Sequence, residues 1–139
     1  MASLRKEIPL AASSAAVWDA VRDIGALHTR LVPGFVIDTK LDGDARIVTF
    51  ANGQVARERI VDVSEAEHRM VWAVSDPPFT HYSASAQVFP DGAERSRLVW
   101  ISDFLPNDLR DTVAGLMDLG AAAMQKAFAG ETAGVRRGS

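Results

Sequence analysis

The residues of this chain that could do chemistry are few, and no two stand at a spacing that makes a familiar catalytic pair. There is no cysteine, which removes thiolate nucleophiles, disulfides and zinc–thiolate sites. His28 and His81 could each shuttle a proton, but no H-x-x-x-H or H-x-E pattern occurs. Surface or hydrogen-bonded structural roles are therefore expected for both, and no metal site. Ser13, Ser14, Ser64, Ser75 and Ser102 stand outside any G-x-S-x-G elbow. No phosphate loop or dinucleotide fingerprint is present, so no cofactor is implied. Among the polar residues of the strand-like stretches, three are weighed for a ligand or proton role. Glu58, if buried, could orient a polar ligand group or act as a general base; it could equally pair across strands with Arg46 or Arg69. Tyr82 could donate a hydrogen bond to a ligand oxygen or be a core tyrosine whose hydroxyl reaches the surface. Asp103 could be a carboxylate at a cavity mouth, with a turn or cap role the expectation.

Something must position these residues, and the C-terminal stretch from Pro106 to Phe128 is the organising element. Leu109, Val113, Leu116, Met117, Gly120, Met124, Ala127 and Phe128 recur at helical spacing, with Asp111, Ala114, Asp118, Ala122 and Gln125 opposite. Asn107 reads as an N-cap, Asp108 suits the first turn, and Gly130 reads as a stop. At about 1.5 Å per residue the helix spans roughly 30 Å, the width of a small domain. Its apolar stripe needs a sheet.

The rest of the chain supplies one. Residues 3–10 read as a first strand, with Leu4, Ile8 and Leu10 on one face and Lys6 as an exception among them. Ser13 or Ser14 caps a short helix whose apolar side is Val17, Trp18, Val21 and Ile24. A second short helical piece, 26–31, ends at Pro33-Gly34. Six strands follow, at 35–41, 46–50, 54–64, 69–75, 82–89 and 95–104. Asp42-Gly43-Asp44 and Asn52-Gly53 are strong hairpin turns between them. Short turns predict an antiparallel meander.

The 139 residues suggest one domain, 1–129, with a polar tail at 130–139 expected to be disordered. Hydrophobic residues make up 47%, charged residues 24%, and the net charge of −3 does not point to nucleic acid. No apolar run approaches a membrane span, and the N-terminus lacks a signal-peptide core, so a cytoplasmic location is expected.

A curved sheet wrapped on one helix encloses space. Gly120, Ala121, Met117 and Met124 leave the helix face small or adaptable, and Tyr82, Ala84, Ala86 and Val88 share a strand face that is half alanine. These small facing residues either pack closely or leave a cavity; a cavity is the expectation. Trp18 reads as a core anchor. Trp72 and Trp100 could belong to core or cavity wall, because the strand phase around Met70-Val71-Trp72-Ala73-Val74 is apolar on both faces.

Several stretches, in this order, are similar to the START-like superfamily, the helix-grip fold shared by birch-pollen allergens, plant abscisic-acid receptors and bacterial polyketide cyclases. They are residues 16–23 (AVWDAVRD), Gly53-x-Val55-x-x-Glu58-Arg59-Ile60, His81-Tyr82-x-Ala84, and Leu98-x-Trp100-x-x-x-Phe104-x-Pro106. The resemblance covers residues 3–128 and is strongest to the polyketide cyclase/dehydrase and lipid-transport group. It implies an α+β helix-grip fold: a seven-stranded antiparallel sheet around a long C-terminal helix, with two short helices after the first strand. In the receptor branch the residues matching Glu58 and Tyr82 face the ligand. The serine that follows that tyrosine by two is Ala84 here, and Arg30-Leu31-Val32-Pro33 stands where many bacterial relatives have Trp-x-Pro.

The expected ligand-binding set is thus Glu58, Trp72, Tyr82 and Ala84 with Trp100 from the strands, and Met117 and Met124 from the helix. The expected function is binding of a small, largely apolar or amphipathic molecule such as a lipid, an aromatic or a polyketide-like compound. The alternatives are a cyclase or dehydratase using the same cavity, and an interaction module of the co-chaperone type. Ligand identity and oligomeric state are not written in the sequence.

Overall fold

Seven β-segments and one long amphipathic helix leave little choice of architecture, because the sheet has a single apolar face to cover. The computed structural model describes residues 1–129. Its strands are β1 (Ala2–Leu10), β2 (Val36–Asp42), β3 (Ala45–Phe50), β4 (Val55–Ser64), β5 (Arg69–Val74), β6 (His81–Pro90) and β7 (Ser96–Leu105). The α-helices are α1 (Ser14–Arg22) and α2 (Arg110–Gly138). The tail expected to be disordered, 130–139, and the stop expected at Gly130 lie outside the described residues.

The strand order is β1-β7-β6-β5-β4-β3-β2, antiparallel throughout. β2 to β7 form the expected meander, and β1 joins it at the far edge beside β7. The sheet curves around α2, the helix-grip arrangement. Asp42-Gly43-Asp44 and Asn52-Gly53 do turn the chain, with Gly43 at φ +60° and Gly53 at φ +90°, conformations that favour glycine. α1 begins where Ser13 Oγ accepts a hydrogen bond from Ala16 N at 3.2 Å. A 3₁₀ turn (Ile24–Ala26) and a π-helical turn (Leu27–Leu31) make up the second short helical piece.

Two local expectations are corrected. Asn107 does not cap α2: residues Asn107–Leu109 form a 3₁₀ turn that leads into Arg110, and Pro106 holds the cap position without a side-chain bond. Lys6, the odd charge on the inner face of β1, has a reason to be there. Its Nζ reaches α2 and donates to Asp118 Oδ1 at 2.7 Å. The stem covers apolar surface while the head stays wet.

The core is continuous from β1 through α1 to the sheet and α2, with Ile8, Leu10, Val17, Val21, Val48 and Leu98 almost fully buried. Trp18 belongs to it, 4% exposed, and its indole N–H donates to Glu65 Oε2 at 2.7 Å. No helix among the described residues is long and apolar enough to cross a membrane.

Candidate functional site

Strand alternation decides what faces α2. In β5 to β7 most buried side chains, Met70, Trp72, Val74, Ala84, Ala86 and Leu98 among them, fall at even positions, with Ser85 and Val99 the odd exceptions, so Tyr82 and Trp100 share the inner face. The phase left open around Trp72 and Trp100 is thereby resolved inward for both.

Helix and sheet do not meet everywhere. Between them lies a pocket of about 290 Å³. Helix α2 contributes Val113, Leu116, Met117 and Met124 to its wall. Six aromatic residues line it: Phe35, Phe50, Trp72, Phe79, Tyr82 and Trp100. They brace one another, Phe35 edge-on to Phe50 at 5.3 Å and Phe79 against Tyr82 at 4.9 Å between centroids. Gly120 sets how near the helix comes. A Cβ there would stand 2.8 Å from Trp100 Cζ3 and 3.3 Å from Phe35 Cε2. The exposed lining residues Gln54, Val55, Pro77 and Pro78 mark the mouth, between the β3–β4 turn and the β5–β6 connection. Asp76 ties that connection to the sheet by accepting from Arg57 N at 2.9 Å.

The polar groups within this apolar wall are few. Arg46 on β3 lies opposite Glu58 on β4 in the ladder, and its Nε donates to Glu58 Oε1 at 2.8 Å. The two side chains are 3% and 11% exposed. Arg46 also donates weakly to Ile24 O at 3.5 Å, and its guanidinium carbon is 5.9 Å from the centre of the Trp72 ring. Each charge makes the other tolerable in an apolar setting. Tyr82 Oη shares a hydrogen bond of 3.0 Å with Ser102 Oγ, a fully buried hydroxyl. Burial pushes the phenol up to about 12, helped by the Glu58 charge and opposed by the Ser102 bond. Tyr82 is therefore a neutral hydrogen-bonding group at ordinary pH.

Of the residues singled out from sequence, Glu58, Trp72, Tyr82, Trp100, Met117 and Met124 all come together on the pocket wall. Ala84 does not; it is buried in the packing, and the β6 alanine on the wall is Ala86, one step along the same face. Glu58 has the cross-strand partner foreseen as its structural alternative, Arg46 rather than Arg69, and the pair itself sits in the pocket. His28 lies in the π-helical turn with Nδ1 3.1 Å from Thr39 Oγ1, and His81 opens β6 with Nε2 3.3 Å from Ser83 Oγ. Neither touches the pocket. Asp103 is neither mouth nor cap: it stands on the outer phase of β7, opposite Ser83.

Sequence reasoning missed Arg46, Phe35, Phe50 and Phe79 as wall residues. For Arg46 a signal existed. It is in phase with Val48 and Phe50 on β3, and a charge in register with an apolar strand face is either a buried partner or a site residue.

The profile described as polyketide cyclase / dehydrase and lipid transport matches residues 1–137. No curated protein sequence matches the chain. Among solved structures, the protein XoxI from Bacillus cereus superposes with a TM-score of 0.82 at 22% identity, covering 92% of this chain and 96% of that one. A START superfamily protein from Mycobacterium smegmatis superposes at 0.75 with 16% identity, over 91% and 96%. Norcoclaurine synthase from Thalictrum flavum, in complex with dopamine and hydroxybenzaldehyde, superposes at 0.68 with 19% identity, over 90% and 84%. At these identities the likeness is one of fold.

Proposed function

The chain belongs to the polyketide cyclase/dehydrase and lipid transport family, and from that premise we propose that it binds a small, largely apolar ligand between the sheet and α2. The observation that carries this reading is an apolar pocket of about 290 Å³ that holds a buried ion pair and a neutral phenol. Burial of apolar ligand surface contributes about 25 cal/mol per Å² before the losses of association. Glu58, Arg46 and Tyr82 orient the ligand; Trp72, Trp100, Met117 and Met124 enclose it. The volume sits at the small end of ligand pockets, roughly 300–1,000 Å³, which suits a compact ring system or a short chain. Native mass spectrometry of freshly purified protein tests the reading. A reproducible small adduct that disappears in Ala86→Leu supports it. Protein that is empty and also fails to bind the neutral apolar dye Nile red overturns it.

A second reading, a cyclase or dehydratase acting in the same pocket, is favoured by one observation. Glu58 and Tyr82 both line the pocket, so a carboxylate and a phenol border one space. Turnover of a polyketide-like substrate that collapses in Glu58→Gln and Tyr82→Phe supports it; unchanged rates in both remove these residues from the chemistry.

A further inference from the structure

Four titratable side chains line the pocket, Arg46, Glu58, Asp76 and Tyr82, and their charges decide what can enter. One is a cation and two are carboxylates. The cation is already matched, Nε to Oε1, by Glu58. The phenol is neutral at ordinary pH. An anionic ligand would therefore find no uncompensated positive charge in the pocket, and would meet one carboxylate inside and another at the mouth. Burying such an anion without a partner is strongly unfavourable.

The pair still has unused hydrogen-bonding capacity. Arg46 Nη2 and Glu58 Oε2 have no hydrogen-bond partner among the described residues. The polar side-chain atoms that are both inaccessible and unpartnered are Ser96 Oγ and Trp100 Nε1; Nη2 and Oε2 are not among them. Each therefore keeps accessible surface, on residues whose side chains form the pocket wall. The pair thus keeps both a spare donor and a spare acceptor, with the Trp72 ring beside the guanidinium. Around them are six aromatic residues out of the ten in the chain, which favours a flat ring over a flexible acyl chain.

From this we infer that the pocket selects uncharged aromatic ligands bearing a hydroxyl, which accepts from Arg46 and donates to Glu58, or a carbonyl, which accepts from Arg46, and that it rejects carboxylates. The inference rests on the ligand-binding reading and names its ligand class. Carboxylate rejection sets fatty acids and aromatic acids apart from phenols and neutral ketones of the same size.

The test is displacement of Nile red at pH 7 by 2-naphthol and by 2-naphthoate, a pair of like shape and different charge. Naphthol should displace the dye at least ten-fold better than naphthoate. In Glu58→Gln the guanidinium loses its counter-charge, and the preference should reverse toward naphthoate. In Arg46→Met/Glu58→Leu, which removes both charges, dye binding should persist while the hydroxyl loses its advantage over an uncharged naphthalene without it. Thermal melts confirm that each variant is folded. If the dye binds and naphthoate displaces it as well as naphthol does, the charge selection is wrong and the pocket reading stands. If neither the dye nor either naphthalene binds the wild type, both fall.

Discussion

Arg46 Nε stands 2.8 Å from Glu58 Oε1 across β3 and β4, with both side chains on the sheet's apolar inner face. The arrangement gains little as a pair, because the desolvation of two charges offsets their attraction. Breaking it is another matter, since one charge is then left buried and alone. Glu58→Ala should lower the unfolding free energy by on the order of 3 kcal/mol in urea titrations. Arg46→Met/Glu58→Leu should stay within about 1–2 kcal/mol of wild type. Equal losses in the single and double variants would mean that packing volume, not charge, holds the site together.

Two glycines of α2 make an internal comparison. Nothing lies within 4 Å of a Cβ placed on Gly115, whereas one on Gly120 meets Trp100 at 2.8 Å. Gly115→Ala should therefore add the ordinary helix-propensity gain, roughly 0.5–1 kcal/mol. Gly120→Ala has the same gain on the helix but forces Trp100 and Phe35 to move, an overpacking that costs about 1–3 kcal/mol. The two variants should thus change stability in opposite directions, and Gly120→Ala should also weaken Nile red binding as the displaced rings encroach on the pocket. A stabilised Gly120→Ala with unchanged dye binding would show that helix and sheet are not in close contact there.

Ala84 and Ala86 share a strand face and differ in what they meet. Ala86 borders the pocket, while Ala84 is buried, 3% exposed, in packed core. Ala86→Leu should extend into open volume, reducing Nile red affinity ten-fold or more at little cost in stability. Ala84→Leu has no such space and should lose about 1–3 kcal/mol. A dye titration and a urea curve on each variant separate the two effects, and an Ala86→Leu that binds dye as well as wild type would place the ligand elsewhere.

What was legible in the sequence follows from how local the signal is. Asp42-Gly43-Asp44 and Asn52-Gly53 announce hairpins because their glycines carry positive φ, a constraint few residues meet. The α2 face was readable from helical spacing, and its small residues suggested incomplete filling. The strand phase of Trp72 was not readable, because Val71 and Ala73 on the other face are apolar and half-buried too. Register shifts between Val36 and Asp38 and between Ile60 and Asp62 leave no such pattern; they fall at Ile37 and Val61, which are 56% and 55% exposed. The wall residues Phe35, Phe50 and Phe79 come from three separate segments, and only tertiary folding brings them together. Glu58 and Tyr82 emerged from resemblance; that Arg46 completes the site required the β3–β4 register.

Tyr82 offers a direct reading of the pocket's interior, because it is the only tyrosine in the chain. Its phenol is held neutral up to about 12, first by burial and then by the Glu58 charge, against the hydrogen bond to Ser102. Near-ultraviolet absorbance of phenolate should therefore rise about two pH units later in the folded protein than the usual value near 10. The sign of the stability effect follows. Between about pH 10 and 12 the unfolded chain has lost this proton and the folded one has kept it, so folding weakens as pH climbs. The contribution is fully present below about pH 10 and is lost as pH rises through about 12. Tyr82→Phe should flatten that decline relative to wild type while leaving the curve below pH 9 parallel. A ligand whose hydroxyl or carbonyl bonds to the phenol should move the absorbance midpoint, whereas one that lodges only among Phe35 and Phe50 should not. An unshifted tyrosine titration in the free protein would mean that Tyr82 is open to water and that the wall between Phe79 and Ser102 is not closed.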